Sequence, residues 1–164
     1  MLEEAKKLTS NQNIYFQQTA IENFNTPSNS FDLIISSLAF HYVQDFNAII
    51  ERLVIWLKAG GVFLFSVEHP ICTAYPEAQI KIDEHGRSFH PIYNYRDEGL
   101  FNQTWFVEGV QKYHRTVSTY INTLITYGLK IDAVLEPMPT EEMIKQRNQF
   151  LIHKIRPPLL IIKS

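Results

Sequence analysis

Apolar residues run almost unbroken from Phe31 to Phe40 and again from Val62 to Val67, and between the two runs they fall at helical spacing. The first run, "FDLIISSLAF", has the pattern of a strand covered on both faces. In "DFNAIIERLVIWL" the spacing of Phe46, Ile49, Ile50, Leu53, Ile55 or Trp56 and Leu57 predicts a helix, with Asp45 as its N-cap. Gly60 and Gly61 of "KAGG" are placed to stop it in the left-handed conformation. "VFLFSVEH" then reads as a second buried strand. Phe31 to His69 is thus a strand–helix–strand unit of the length a parallel crossover needs.

The flanks are shorter elements. "LEEAKKL" reads as a helix, "NIYFQQTA" as a short strand and "NTPSNS" as a loop of turn formers. Residues 71 to 112 lose periodicity and gather Tyr, His, Pro, Arg, Asp and Trp. Within them "IDEHGRSF" and "WFVEGVQKY" each set a glycine between strand-like flanks, which predicts small hairpins. "RTVSTYINTLITYG" predicts a helix capped by Thr116 or Ser118 and stopped at Gly128. "KIDAVLEP" predicts a strand, "TEEMIKQRNQFLIHKI" a helix capped by Thr140, and "PPLLIIKS" a last strand. The whole is expected to be one α/β domain over residues 1–164.

Composition narrows the function classes. Among 164 residues 45% are hydrophobic and 20% charged, with a net charge of −2. No basic stripe points to nucleic acid, and no apolar run is long enough to span a bilayer. The single cysteine, Cys72, leaves no internal disulfide and fits the reducing cytoplasm. His69, His85, His90 and His114 with Glu68 lack the spacing of metal ligands, so no metal is expected.

"SFDLIISSLAFHYVQDFNAIIERLVIWLKAGGVFLFSVEHP" resembles the central half of the class I S-adenosylmethionine-dependent methyltransferases. "FDLIISSLAFHYV" is similar to their fourth strand and its following loop. "LKAGG" is similar to their "L-K-P-G-G" turn, with Ala59 in place of proline. "MLEEAKK" resembles the helix after their second strand, and "NIYFQQTAIENF" their third strand with its adenine-contacting turn. The tail resembles their last helix, sixth strand and antiparallel seventh. The resemblance implies a partial Rossmann-like, doubly wound, mostly parallel sheet with an antiparallel last strand, and residues 71–112 as a hairpin or lid insertion. It places the family's glycine-rich loop and ribose-binding acid ahead of residue 1, and no Gly-x-Gly occurs in the chain. The domain is therefore expected to be truncated at its N-terminus, and to bind S-adenosylmethionine weakly or not at all by itself.

Ligands of an open parallel sheet sit beyond the carboxyl ends of its strands. Glu68 and His69 end one strand; Ser36, Ser37 and His41 follow the end of its neighbour. Glu68, His69 and His41 are the candidates to orient or deprotonate a methyl acceptor. The alternative for Glu68 is pairing with an arginine, and for His69 a loop cap. The resemblance assigns Thr19, Ala20 and Ile21, with Ser36 and Ser37, to the cofactor. Tyr42, Tyr93 and Trp105, with Tyr75, are the candidate walls of the acceptor pocket, and Arg115 the candidate partner of an acceptor carboxylate or else a structural ion pair. Methyl transfer to a small molecule is the function this implies. The alternative is a non-catalytic methyltransferase remnant or an assembly module. With two strands of the family sheet absent, the fourth strand should show an exposed edge open to self-association.

Overall fold

In the computed structural model, residues 2–74, 79–105 and 107–164 are described, except for the Trp105 side chain. In chain order the elements are α1 (Leu2–Lys7), β1 (Phe31–Ser37), α2 (Phe46–Trp56), β2 (Leu57–Glu68), α3 (Pro70–Ala74), β3 (Lys81–Ile82), β4 (Ser88–Phe89), β5 (Gly99–Trp105), β6 (Val107–His114), α4 (Val117–Thr126), β7 (Ala133–Leu135), α5 (Glu141–Gln146) and β8 (Leu159–Lys163). Short 3₁₀ turns lie at Ile21–Asn23, Phe40–Tyr42 and Asn148–Lys154.

The main sheet has the order β1-β2-β8-β7. β1 and β2 run parallel, with Leu33 beside Val62 and Ser37 beside Ser66. β8 runs antiparallel to both β2 and β7, so β7 points the same way as β2. Three of the four strands therefore end on one side, and that is where a mostly parallel sheet takes its ligands.

One face of this sheet carries the core. Phe63, Phe65 and Val67 of β2 and Leu160 and Ile162 of β8 alternate toward α2 and α4. They meet Phe46, Ile49, Ile50, Leu53 and Trp56 of α2, and Tyr120 and Leu124 of α4. Phe40 sits at the centre, with ring centroids 5.6–5.8 Å from Phe46, Phe63 and Phe65. Burying each such side chain contributes about 1.5–3 kcal/mol. Asp45 caps α2 as its sequence suggests, accepting from the Ala48 N–H at 2.9 Å. Thr116 and Thr140 do the same for α4 and α5.

The other face is open among the described residues. Leu33 and Ile35 of β1 are 51% and 62% exposed. The expectation that "FDLIISSLAF" is covered on both faces is thus corrected: its apolar residues alternate, but only one face has a cover. "NIYFQQTA" forms no strand either. No described strand lies beyond β1 for it to pair with, and Arg52 of α2 instead pins the next turn by donating to the carbonyls of Glu22 and Phe24.

Two turns differ in detail. α2 ends at Trp56 with an extended Leu57 as its cap, so glycine does not stop the helix. Gly60 takes φ +77° inside the irregular start of β2, and a Cβ on Gly61 would come within 2.9 Å of the Lys58 carbonyl. In the long hairpin Gly109 lies within β6 and not at the turn. The predicted last helix splits into α5 and a 3₁₀ segment at Arg147, whose backbone is extended.

Candidate functional site

β1 hands over to a tight turn at Leu38, where φ is +52° and the N–H donates to the Ser66 carbonyl at 2.9 Å. The 3₁₀ turn that follows sets His41 and Tyr42 beside the end of β2. His41 is 3% exposed, and its Nδ1 accepts the Glu68 backbone N–H at 3.3 Å. With Nδ1 an acceptor, the ring proton belongs on Nε2. Burial holds the His41 pKa down to about 4; Lys112 and Arg115 push the same way and Glu68 opposes them. The imidazole is therefore neutral at pH 7, and its ring lies 4.3 Å from that of Tyr42.

Glu68 meets Lys112, not an arginine. The Lys112 ammonium is 2.7 Å from Glu68 Oε2 and 2.8 Å from Gln103 Oε1, and stands 5.8 Å from the centre of the Tyr42 ring. Its side chain is 5% exposed. Lys112 comes from β6, so the ion pair fastens the long β5–β6 hairpin over the ends of β1 and β2. Sequence reasoning missed this residue. The available signal was strand alternation: Val110, Lys112 and His114 share one face of β6, and that face turns inward.

His69 is committed to the scaffold. It is 1% exposed; Nδ1 accepts the Ile71 N–H at 3.1 Å, and Nε2 lies 2.7 Å from Glu136 Oε1 in the loop after β7. Both ring nitrogens are occupied, so the structure leaves none to meet an acceptor. The loop-cap alternative describes it: His69 caps α3 and ties it to the neighbouring strand end. His114 acts similarly, joining Thr73 at 2.7 Å to the Tyr95 carbonyl at 2.9 Å.

Arg115 is also a scaffold residue. It is 7% exposed and donates to the carbonyls of Phe40, Val43 and Gln44 at 3.3, 2.5 and 2.8 Å. Its guanidinium also faces the rings of Phe46 and Tyr113. Arg115 holds the turn that positions His41, and the proposed partnership with an acceptor carboxylate is corrected accordingly. Tyr42 belongs to the cluster. Tyr93 is 54% exposed, on the segment between the two hairpins. Tyr75 and the Trp105 side chain lie outside the described residues.

Of the residues assigned to the cofactor, Ile21 and Ser36 come together. They line an open groove of about 330 Å³ with Phe24, Phe31, Ile34 and Trp56. Thr19, Ala20 and Ser37 are exposed and do not line it. The groove has the size and apolar walls to take a planar base. No carboxylate or glycine lines it, so among the described residues nothing matches the ribose or methionine parts of S-adenosylmethionine. Among the described residues, no group of three or more His, Cys, Asp and Glu is placed to hold a metal ion, and no helix is long and apolar enough to cross a membrane.

Comparison with known proteins adds three findings. A family model described as a methyltransferase domain matches residues 1–65. The crystal structure of an S-adenosylmethionine dependent methyltransferase from Mesorhizobium loti superposes with a TM-score of 0.92 at 37% identity, covering 99% of this chain and 74% of that one. A Listeria monocytogenes protein, described as a candidate methyltransferase of the same kind, gives a TM-score of 0.89 at 38% identity, covering 99% of this chain and 73% of that one. An uncharacterised Haemophilus influenzae protein is 38% identical over 140 residues, 84% of this chain; the chain spans about half of that relative, 55% of its length.

Proposed function

The chain belongs to the S-adenosylmethionine-dependent methyltransferases, and on that premise we propose that it serves methyl transfer to a small-molecule acceptor held at the carboxyl ends of β1 and β2. The observation that carries this reading is the cluster of His41, Tyr42, Glu68 and Lys112 at those two strand ends. S-adenosylmethionine supplies an electrophilic methyl group on its sulfonium. The adenine ring is assigned to the groove beside Ile21 and Ser36. The chain's own part is to hold the acceptor in line for the transfer.

Within the cluster, Lys112 neutralises one oxygen of Glu68. The other oxygen has no partner among the described residues and accepts a hydrogen bond from an acceptor N–H or O–H. His41, neutral with its proton on Nε2, is a fixed donor to an acceptor oxygen or nitrogen. Tyr42 supplies an apolar wall, and the β5–β6 hairpin closes the mouth as part of a lid spanning residues 71–112. A cytoplasmic location fits Cys72, which is buried as a free thiol.

A second reading, an assembly module without activity of its own, draws on the open face and edge of β1. Transfer of isotope-labelled methyl groups from S-adenosylmethionine into a cell extract separates the two. Label in the small-molecule fraction supports the methyltransferase reading. Label confined to protein or nucleic acid overturns the small-molecule acceptor. No transfer even at millimolar donor favours the assembly module.

A further inference from the structure

Charges at the ligand end of the sheet are matched with one exception. Glu68 answers Lys112, Glu136 answers the His69 ring, and Arg115 is held by three carbonyls. Arg156 has no carboxylate within ion-pair distance among the described residues, and its Nε is buried without a hydrogen-bond partner.

Its place in the fold is well defined. Arg156 lies in the turn leading into β8, and that turn is stitched to the stretch just after Glu68. The Pro157 carbonyl accepts from Cys72 Sγ at 3.4 Å, and the Pro158 carbonyl accepts the His69 N–H at 3.0 Å. His90, from the segment after β4, packs into the same neighbourhood. Both of its ring nitrogens are buried and unpartnered. Burial holds the His90 pKa below its usual value, Arg156 adds to that, and the Ile71 carbonyl opposes it. The same guanidinium acts on the Cys72 thiol, which burial pushes up to about 11.

Buried donors without partners cost stability, and native proteins fill such positions with water or a ligand. A half-buried guanidinium beside an imidazole, with no counter-charge, offers paired N–H donors to a planar or tetrahedral oxyanion. We propose that Arg156 and His90 form an oxyanion subsite at the carboxyl end of the sheet, taking a carboxylate or phosphate group. That this group is borne by the methyl acceptor rests on the function proposed above; the subsite itself does not. Arg156 then takes over the anion-binding role that the sequence suggested for Arg115.

The test needs no cofactor. The isotope-labelled chain is titrated at constant ionic strength with inorganic phosphate and, separately, with acetate, and the His90 ring and Arg156 Nε–H signals are followed by NMR. Saturable shifts are expected, with the His90 titration midpoint rising as the anion binds. Saturation by acetate identifies a carboxylate site, and saturation by phosphate alone a phosphate site. Arg156→Gln is expected to weaken binding about tenfold or more. Absence of saturation with either anion overturns the proposal, as do shifts that survive Arg156→Gln. Should that variant fail to fold, Arg156→Lys keeps the charge but loses the paired N–H geometry, and full parental affinity in it overturns the proposal equally. Failure of methyl transfer would leave all these outcomes readable.

Discussion

The Lys112 ammonium lies 2.7 Å from the Glu68 carboxylate across 44 positions of sequence, and this contact joins the long hairpin to the strand that ends the core. The lysine side chain is 5% exposed and the glutamate side chain 25%. Removing one member of a buried pair strands the other, at about 3–5 kcal/mol for full burial. Glu68 keeps part of its surface in water, so Glu68→Gln should cost about 2 kcal/mol. Lys112→Met in the Glu68→Gln background removes the stranded charge and should recover most of that loss. Denaturant unfolding of the parent, both single variants and the double variant measures the coupling. Strictly additive losses would show that the pair does not act as a unit.

His41 makes stability depend on pH. Its folded pKa of about 4 lies below the value of about 6.5 for an unfolded histidine. Between these values the unfolded chain binds more protons, so stability rises with pH. Its contribution is complete above about pH 6.5 and is lost as pH falls toward about 4, amounting to roughly 3 kcal/mol. His90 is shifted in the same direction and adds to the slope. His41→Gln should therefore flatten the pH dependence in part. Unfolding midpoints that stay level from pH 7 to pH 4.5 in the parent chain would contradict this.

The cofactor groove offers apolar walls and Ser36, but no carboxylate and no glycine. Each missing hydrogen bond is worth roughly 0.5–1.5 kcal/mol, and several are missing. Binding of S-adenosylmethionine by the isolated chain should be about millimolar or weaker. Titration calorimetry decides this, and a micromolar dissociation constant would falsify it.

The strand–helix–strand unit was legible because one physical rule governs each part: continuous apolar runs for β1 and β2, helical spacing for α2, and Asp45 as its cap. The roles of Glu68, His69 and Arg115 were not legible. Sequence places polar residues at strand ends but does not say which partner reaches them. Lys112, Glu136 and the carbonyls after Phe40 arrive from 44, 67 and up to 75 positions away. "NIYFQQTA" failed as a strand for a related reason: a strand needs a neighbour, and local composition does not supply one. Arg156 drew no notice because an unpaired cation is visible only once every other charge has been paired.

β1 is hydrogen-bonded to β2 on one side, and no described strand borders its other edge. The sheet face beside that edge presents Leu33 and Ile35, each more than half exposed. An open edge next to an exposed apolar face is a template for pairing with another chain. Self-association of this chain through β1 is therefore expected, rising with concentration in sedimentation velocity. Ile35→Lys places a charge on the exposed face without entering the core on the other side. It should shift the chain toward monomer while leaving the circular dichroism of the helices unchanged. Leu33→Lys should do the same, whereas a control such as Lys130→Gln, away from the edge, should not. A parent chain that stays monomeric at high micromolar concentration would exclude this assembly, and one whose association survives both substitutions would place the contact elsewhere.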